Sequence, residues 1–298
     1  MNDNLTSVII TTYNRADFLK KTLDSIENQT YKNVEIIVID DGSTDEIAIK
    51  IKNICLEFSK CQYHWKSNTG QADSRNFGIE KAKGEYIGFC DDDDYWVLDK
   101  LEKQITILEN YNNFDIVTGD IGFVDKEGTV LDRIKSHSGY NHGNIFENLL
   151  THNRTSSVTP LLRKKVFEKS GLFNPKFTIA EDWDFWRRAS FYHKFYAQNE
   201  IMAYVRIHGN NMTYKHETIY ERIMLYRKLS KELLKWGKKK FNSHEFQLIE
   251  SCERQKYQRI ISNNIDTKWN QVLFLLSILM RHPKDGIYII SLFLRITR

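Results

Sequence analysis

The sequence lacks several features that would narrow its class at once. Its four cysteines, Cys55, Cys61, Cys90 and Cys252, show no C-x-x-C spacing. They do not read as a disulfide framework or a zinc site, and they suit a reducing compartment. No apolar run approaches the roughly 20 residues that a membrane-crossing helix needs. The N-terminus has no basic stretch, and its first apolar run is only Val8-Ile9-Ile10, so a cleaved signal peptide is not expected. There is no internal repeat and no low-complexity segment. No nucleic-acid-binding motif is recognisable, so nucleic acid is not an expected partner.

What is present is enough for a large core. The chain has 298 residues, 41% of them hydrophobic, which allows two average domains or one large α/β domain with an extension. The formal charge of +4 hides an asymmetry. Residues 1–214 carry 26 basic and 31 acidic side chains, a net of −5; residues 215–298 carry 17 and 8, a net of +9. An acidic body with a basic tail points to a negatively charged partner for the tail.

The first part alternates strand and helix signals. Residues 7–12 and 34–39 are β-branched runs that read as buried strands, residues 63–65 as a short third strand, and 86–90 as a fourth. Between them lie helical periods: Leu19, Leu23 and Ile26; Ile47, Ile51, Ile54 and Phe58; and residues 72–82. A further helix carries Leu98, Leu101, Ile105 and Leu108 and leads to a strand over 115–118. This order implies a mostly parallel sheet covered on both faces, with ligands at the carboxyl ends of its strands. Beyond residue 120 the reading is a hairpin turn at 125–128, a polar loop over 133–144, a strand over 156–162, helices over 163–170 and 181–191, and a last strand over 201–207. From about residue 217 onward the chain reads as mostly helix.

Acidic residues gather where strands are expected to end. Asp40-Asp41 follows the second strand, and Asp91-Asp92-Asp93-Asp94 follows the fourth. Four adjacent carboxylates repel one another, and folding does not require them. As hard oxygen ligands beside a diphosphate they suit Mg²⁺ or Mn²⁺; as a solvated loop they would cap the next helix. The cluster Glu181-Asp182-Trp183-Asp184 has two readings as well. It can supply a carboxylate that takes a proton from a hydroxyl, or it is a helix N-terminus enriched in acids. Trp183 and Trp186, three residues apart, read as core, with stacking on a ligand face as the alternative.

Three ordered stretches carry a resemblance. They are residues 7–15 (SVIITTYNR), 29–45 (QTYKNVEIIVIDDGSTD), and SRNFGI at 74–79 followed by GEYIGFCDDDD at 84–94. They resemble glycosyltransferase family 2, and the likeness continues more loosely through Gly171-Leu172-Phe173-Asn174, the 181–186 cluster and Tyr204-Val205-Arg206-Ile207-His208. The resemblance implies a GT-A fold: a Rossmann-like, mixed but mostly parallel sheet with helices on both faces, here with a helical C-terminal extension. It divides the chain into a catalytic domain at 1–214, with a nucleotide-sugar half (1–120) and an acceptor half (121–214), and a basic extension at 215–298.

The family also implies an inverting, metal-assisted transfer from a nucleotide diphosphate sugar, most simply a UDP-sugar. By position, Thr11, Tyr13 and Arg15 would line the nucleotide pocket, and Asp41 would accept from the base N–H, with Asp40 orienting its loop. Arg75 would face the diphosphate or an acidic neighbour. Asp91-Asp92-Asp93 matches the family's D-x-D, which makes Asp93 the first metal ligand, Asp91 the second and Asp92 a contact to ribose or metal waters. Asp182 would be the general base and Glu181 its support or an acceptor contact. His208 would reach the metal, Mn²⁺ or Mg²⁺, or the diphosphate. The expected acceptor is a saccharide or lipid-linked saccharide of bacterial surface polysaccharide synthesis. The alternative is a non-catalytic nucleotide-sugar-binding or scaffold subunit. The basic tail, with apolar runs at 272–280 and 287–294 split by Arg281-His282-Pro283-Lys284-Asp285-Gly286, fits an interfacial hairpin on an anionic leaflet or a helical subdomain packed on the body or on another subunit. A cytoplasmic enzyme, peripheral on the inner face of the cell membrane, follows as the expectation, and a homo-oligomer is compatible with it.

Overall fold

The computed structural model describes residues 4–131, 142–153, 155–208, 218–265 and 268–294, with backbone only for Trp269, Phe293 and Leu294. The chain divides into two compact units. The first is Met1–Leu149 with Asn153–Met212, and the second is Leu150–His152 with Thr213–Arg298.

The first unit is built on one eight-stranded sheet. Its first four strands are β1 (Thr6–Thr12), β2 (Val34–Asp40), β3 (Cys61–Trp65) and β4 (Tyr86–Asp91). The others are β5 (Tyr95–Trp96), β6 (Ile116–Val124), β7 (Leu161–Arg163) and β8 (Phe195–Arg206). The order across the sheet is β3-β2-β1-β4-β7-β6-β8-β5. Strands β3, β2, β1 and β4 run parallel, β6 pairs parallel with β8, and β7 and β5 pair antiparallel to their neighbours.

The β-branched runs are strands because both of their faces are covered. Val8 and Ile10 point into one apolar cluster with Leu19, Leu23 and Ile26 of helix α1 (Leu19–Glu27), Ile51 of α2 (Asp45–Leu56) and Leu101, Ile105 and Leu108 of α4 (Lys100–Asn110). Ile9 points the opposite way, into a second cluster with Ile79 of α3 (Gln71–Lys81) and Phe185 and Trp186 of α7 (Glu181–Tyr192). Each Leu or Ile so buried contributes roughly 1.5–3 kcal/mol relative to exposure. Gly78 lets α3 lie close on β1, since a Cβ there would come within 2.4 Å of the Ile9 side chain. Two short helices, α5 (Phe146–Thr151) and α6 (Val166–Ser170), complete the elements before α7.

Several expected boundaries move. Leu98 precedes α4 rather than sharing its buried stripe, and it is 61% exposed. The strand expected over 156–162 shrinks to β7, which begins only after Pro160, a residue with no N–H to give a ladder. β6 and β8 are longer than expected and hold each other through a register shift around Asp120. The turn at Asp125 is seen, with Asp125 N donating to Thr129 O at 3.0 Å and Val124 bridging Val130. Most of the polar loop expected over 133–144 lies outside the described residues.

The second unit is helical: α8 (Ile219–Gly237), α9 (Ser243–Asn264), α10 (Lys268–Arg281) and α11 (Pro283–Leu294). Capping boxes start α8 (Thr218 with Glu221) and α9 (Asn242 with Glu245). Pro283 opens α11 at the position where its missing N–H costs nothing. The unit has its own core of Ile223, Tyr257, Ile260, Ile261, Leu275, Ile278, Ile289 and Leu292. Among the described residues no helix is long and apolar enough to cross a membrane.

Candidate active site

Strand register places the acidic residues together. Thr12 of β1 is level with Asp40 of β2, and Thr11 is level with Asp91 of β4. The three parallel strands therefore end at one edge of the sheet, and the loops after them carry most of the expected site.

The loops after β1 and β2 are clipped to each other. Asn14, in the left-handed region at φ +50°, receives the Thr44 N–H on its side-chain oxygen at 2.9 Å, and its own N–H donates to Ser43 Oγ at 2.8 Å. Tyr13, beside it, is 53% exposed, so its ring is available to a ligand. Asp40 is fully buried and accepts from Ser43 N at 2.9 Å and Tyr63 Oη at 2.8 Å, which makes it the brace of this turn. Asp41 accepts from Lys66 Nζ at 2.7 Å, Thr69 N at 3.0 Å and Gly70 N at 2.8 Å. Its carboxylate thus holds the loop that leads into α3. Gly42, at φ +83°, lies so near that loop that a Cβ would sit 2.6 Å from Asn68 N.

The acidic run after β4 is tied down residue by residue. Asp91 accepts from Arg75 at 3.0 Å and from Gln71 at 3.2 Å. Asp92 is paired with Arg15, and its Oδ2 is buried with no hydrogen-bond partner. Burial pushes its carboxyl up to about 6 even though the Arg15 charge opposes that. Asp93 Oδ2 meets Arg15 at 2.8 Å and His208 Nε2 at 2.9 Å. The His208 ring stacks on Phe18. Asp94 accepts from Arg206 N at 3.0 Å and is held well above the usual carboxylate range by burial and then by Asp93. Arg206 also donates to Asp93 O at 3.0 Å and Lys126 O at 2.9 Å, so one guanidinium fixes the run's backbone.

Arg75 links this run to α7. It is 2% exposed and pairs with Glu181 at 2.6 Å as well as with Asp91. Burial lifts the Glu181 carboxyl to about 7, against the pull of Arg75 and with a push from Asp182. Asp182 is raised as well, by burial first, and is eased by Arg75 and by the Asn153 amide that donates to its Oδ2 at 3.2 Å. Its other oxygen accepts from Trp183 N at 2.6 Å. The residue before this pair, Ala180, has φ +62°, an uncommon conformation for a residue with a Cβ. Trp183 and Trp186 are both buried, the first donating to Leu149 O at 2.7 Å, so they serve the core and offer no stacking face.

The structure therefore brings Arg15, Asp92, Asp93 and His208 into one group and Asp91, Arg75 and Glu181 into another. Asp182 stands beside the second group, with Asn153. Thr11 lies on β1 level with Asp91. Among the described residues no three or more His, Cys, Asp or Glu side chains form a ready metal cage. The donor set still fits a hard divalent ion: carboxylate oxygens, an imidazole against Asp93, and an orphaned buried oxygen on Asp92. Sequence reasoning assigned no role to Lys66, Gln71, Asn153 or Arg206. Arg206 lies two residues before His208 within the Tyr204-Val205-Arg206-Ile207-His208 stretch, a signal that could have found it, whereas Asn153 carries no spacing signal.

A protein from Rickettsia bellii described as an uncharacterized glycosyltransferase is 34% identical over 220 residues, covering 74% of this chain and 31% of that protein. The chain thus spans about a third of the length of the first relatives it matches, 31% and 35% of two Rickettsia proteins. The Escherichia coli UDP-Glc:alpha-D-GlcNAc-diphosphoundecaprenol beta-1,3-glucosyltransferase WfaP is 36% identical over 151 residues, 47% of this chain and 54% of that one. The crystal structure of Staphylococcus aureus TarS 1–349 with UDP-GlcNAc superposes with a TM-score of 0.66 at 18% identity, covering 92% of this chain and 79% of that one. The family model described as Glycosyl transferase family 2 matches residues 7–171, more than half of the chain and all three N-terminal stretches with their strand-end aspartates: the protein belongs to glycosyltransferase family 2.

Proposed function

We propose that the protein is an inverting glycosyltransferase that moves a sugar from a UDP-sugar to a saccharide or lipid-linked saccharide acceptor. The observation that carries this is the common strand edge: Asp40-Asp41, the 91–94 run and, through Arg75, the Glu181-Asp182 pair gather around the carboxyl ends of β1, β2 and β4. The kinship to a UDP-glucose-dependent enzyme acting on a diphosphoundecaprenol-linked sugar supports the donor and acceptor classes.

Tyr13 stacks on the base, with Thr11 and Arg15 completing the nucleotide pocket. Asp41, already anchoring the 66–70 loop, presents its remaining acceptor capacity to the base N–H. Asp93 and His208, which already meet, would hold a divalent ion, Mn²⁺ or Mg²⁺, with Asp91 from the neighbouring group, and Asp92 would face the ribose or the ion's waters. When bound, the ion offsets the charge that grows on the nucleoside diphosphate leaving group. Asp182, raised by burial, takes the proton of the attacking acceptor hydroxyl, and the Asn153 amide keeps its carboxylate oriented. Glu181 and Arg75 fix the start of α7 so that Asp182 faces the acceptor. The experiment is a panel of nucleotide sugars with Mn²⁺, measuring donor hydrolysis and transfer. UDP-hexoses or UDP-N-acetylhexosamines should be turned over; binding without turnover of any donor would leave the scaffold reading.

We further place the protein peripherally on an anionic membrane face. Val272, Leu273, Leu276 and Met280 of α10 fall on one stripe, each at least 44% exposed, and Ile287 of α11 is 63% exposed. Lys268, Arg281 and Lys284 flank them. The same helices supply Leu275, Ile278, Ile289 and Leu292 to the core, so point changes test this better than truncation. Leu273→Glu with Leu276→Glu should abolish flotation with phosphatidylglycerol vesicles; unchanged flotation would contradict membrane contact.

A further inference from the structure

One cation beside Asp41 has no role in the reading above. Strand β3 pairs in parallel with β2 and brings Trp65 level with Asp40. Lys66 follows, its N–H donating to Asp40 O at 3.0 Å, so it stands next to Asp41 at the strand edge. Its ammonium lies 2.7 Å from Asp41 Oδ1, and the two side chains are 14% and 7% exposed, so water screens the pair weakly. The same ammonium meets Asp73 Oδ2 at 3.2 Å, Ser67 O at 2.9 Å, Ser74 Oγ at 3.5 Å and Thr69 Oγ1. It is therefore held against Asp41 from several sides.

The acceptor positions of Asp41 can be counted. An ionised carboxylate offers about four lone-pair sites, two on each oxygen. Oδ1 accepts from Lys66 and from Thr69 N at 3.0 Å, which fills it. Among the described residues Oδ2 accepts from Gly70 N at 2.8 Å, which leaves it one position. Uracil carries an N–H at N3 that can fill this position. Cytosine carries a lone pair on the same atom, so it meets Oδ2 acceptor to acceptor unless a proton is taken up between them. A cation 2.7 Å away favours the ionised carboxylate and opposes that proton. Lys66 thereby makes cytosine costly to bind, and it does so through Asp41 rather than on the base.

We propose that Lys66 is a positioning residue that sets base selectivity: it holds Asp41 as an acceptor, so that the site takes uracil and rejects cytosine. This rests on the donor class proposed above, in which Asp41 meets the base.

The test compares UDP with CDP by calorimetry, with Mn²⁺ and the full chain. The two nucleotides share ribose and diphosphate, so phosphate and metal contributions cancel in the ratio of their affinities. That ratio reports the base edge. The wild type should prefer UDP by about a hundredfold or more. Lys66→Gln keeps hydrogen-bond donors and removes the charge, and it should cut the preference by about tenfold. Lys66→Arg keeps the charge and should restore most of it. Asp73→Asn removes the competing carboxylate, whose side chain is 40% exposed, and should leave the preference at or above the wild-type value. A merely structural role for Lys66 would weaken UDP and CDP together and leave the ratio unmoved. An unmoved ratio in Lys66→Gln overturns the proposal, as does a fall of the same size in Lys66→Arg or Asp73→Asn. A wild type that binds UDP and CDP alike overturns the contact between Asp41 and the base itself. Failure of the donor reading would thus appear in the wild-type isotherms, and failure of the Lys66 assignment in those of the variants.

Discussion

Replacing Arg75 by Met removes the cation that joins β4 to α7. Arg75 is 2% exposed, and its partner Glu181, 2.6 Å away, is 6% exposed. Breaking a buried ion pair from one side costs roughly 3–5 kcal/mol, a large share of the roughly 5–15 kcal/mol that keeps a domain folded. The Asp91 side chain is 27% exposed, so water offsets part of its loss and most of the cost falls on Glu181. The pH dependence gives a sharper test. Burial already raises Glu181 from 4.5 to about 7. With a folded pKa above the unfolded one, stability is lost as pH rises from 4.5 toward 7, and in the wild type the loss ends there, because both states are then ionised. Without Arg75 the folded pKa climbs further and the loss continues, at about 1.4 kcal/mol per pH unit. Urea unfolding followed by tryptophan fluorescence should therefore show a deficit for Arg75→Met that is about 2 kcal/mol larger at pH 8.5 than at pH 6.5. A deficit below about 1 kcal/mol at pH 8.5, or one equal at both pH values, would refute the claim that Arg75 neutralises a buried carboxylate.

Asp182→Asn should lower kcat by about 10²–10⁴-fold and leave UDP affinity within about twofold, as measured by transfer assay and calorimetry; full turnover would remove Asp182 from the base role. Because Asp182 must be ionised to accept a proton, kcat/KM should fall as pH drops through its raised pKa, and Asn153→Ala, which removes a bond to the ionised form, should move that acid limb to higher pH; an unmoved limb would detach Asn153 from Asp182. Gly42→Ala forces a Cβ to 2.6 Å from Asn68 N at φ +83°, and should cost about 1–3 kcal/mol in urea unfolding, with weakened UDP binding; wild-type stability would mean that this loop yields freely.

Much of the fold could be read from the sequence where burial is two-sided. The runs at Val8-Ile9-Ile10 and Ile36-Ile37-Val38-Ile39 are strands with both faces covered, and Leu19, Leu23 and Ile26 form the buried stripe of α1. Legibility ended where partners are remote. β6 and β8 extend each other through a bulge, and no local pattern in Phe195-Tyr196-Ala197-Gln198 announces that pairing. Leu98 fits the helical period but precedes α4, since periodicity does not mark where a helix begins. At the site, the aspartates were visible by position, but their allegiances were not. That Asp91 turns to Arg75 and Gln71 while Asp93 turns to Arg15 and His208 depends on side chains from four separate segments.

The central claim is that the strand-end aspartates bind a metal-nucleotide diphosphate. Calorimetric titration of UDP into the wild type and Asp93→Ala, each with Mn²⁺ and with EDTA, tests it most directly. EDTA should weaken UDP binding to the wild type by about tenfold or more, and Asp93→Ala should bind weakly in both conditions, as expected when a carboxylate ligand shared with phosphate oxygens is lost. Equal UDP affinity in all four titrations would contradict it.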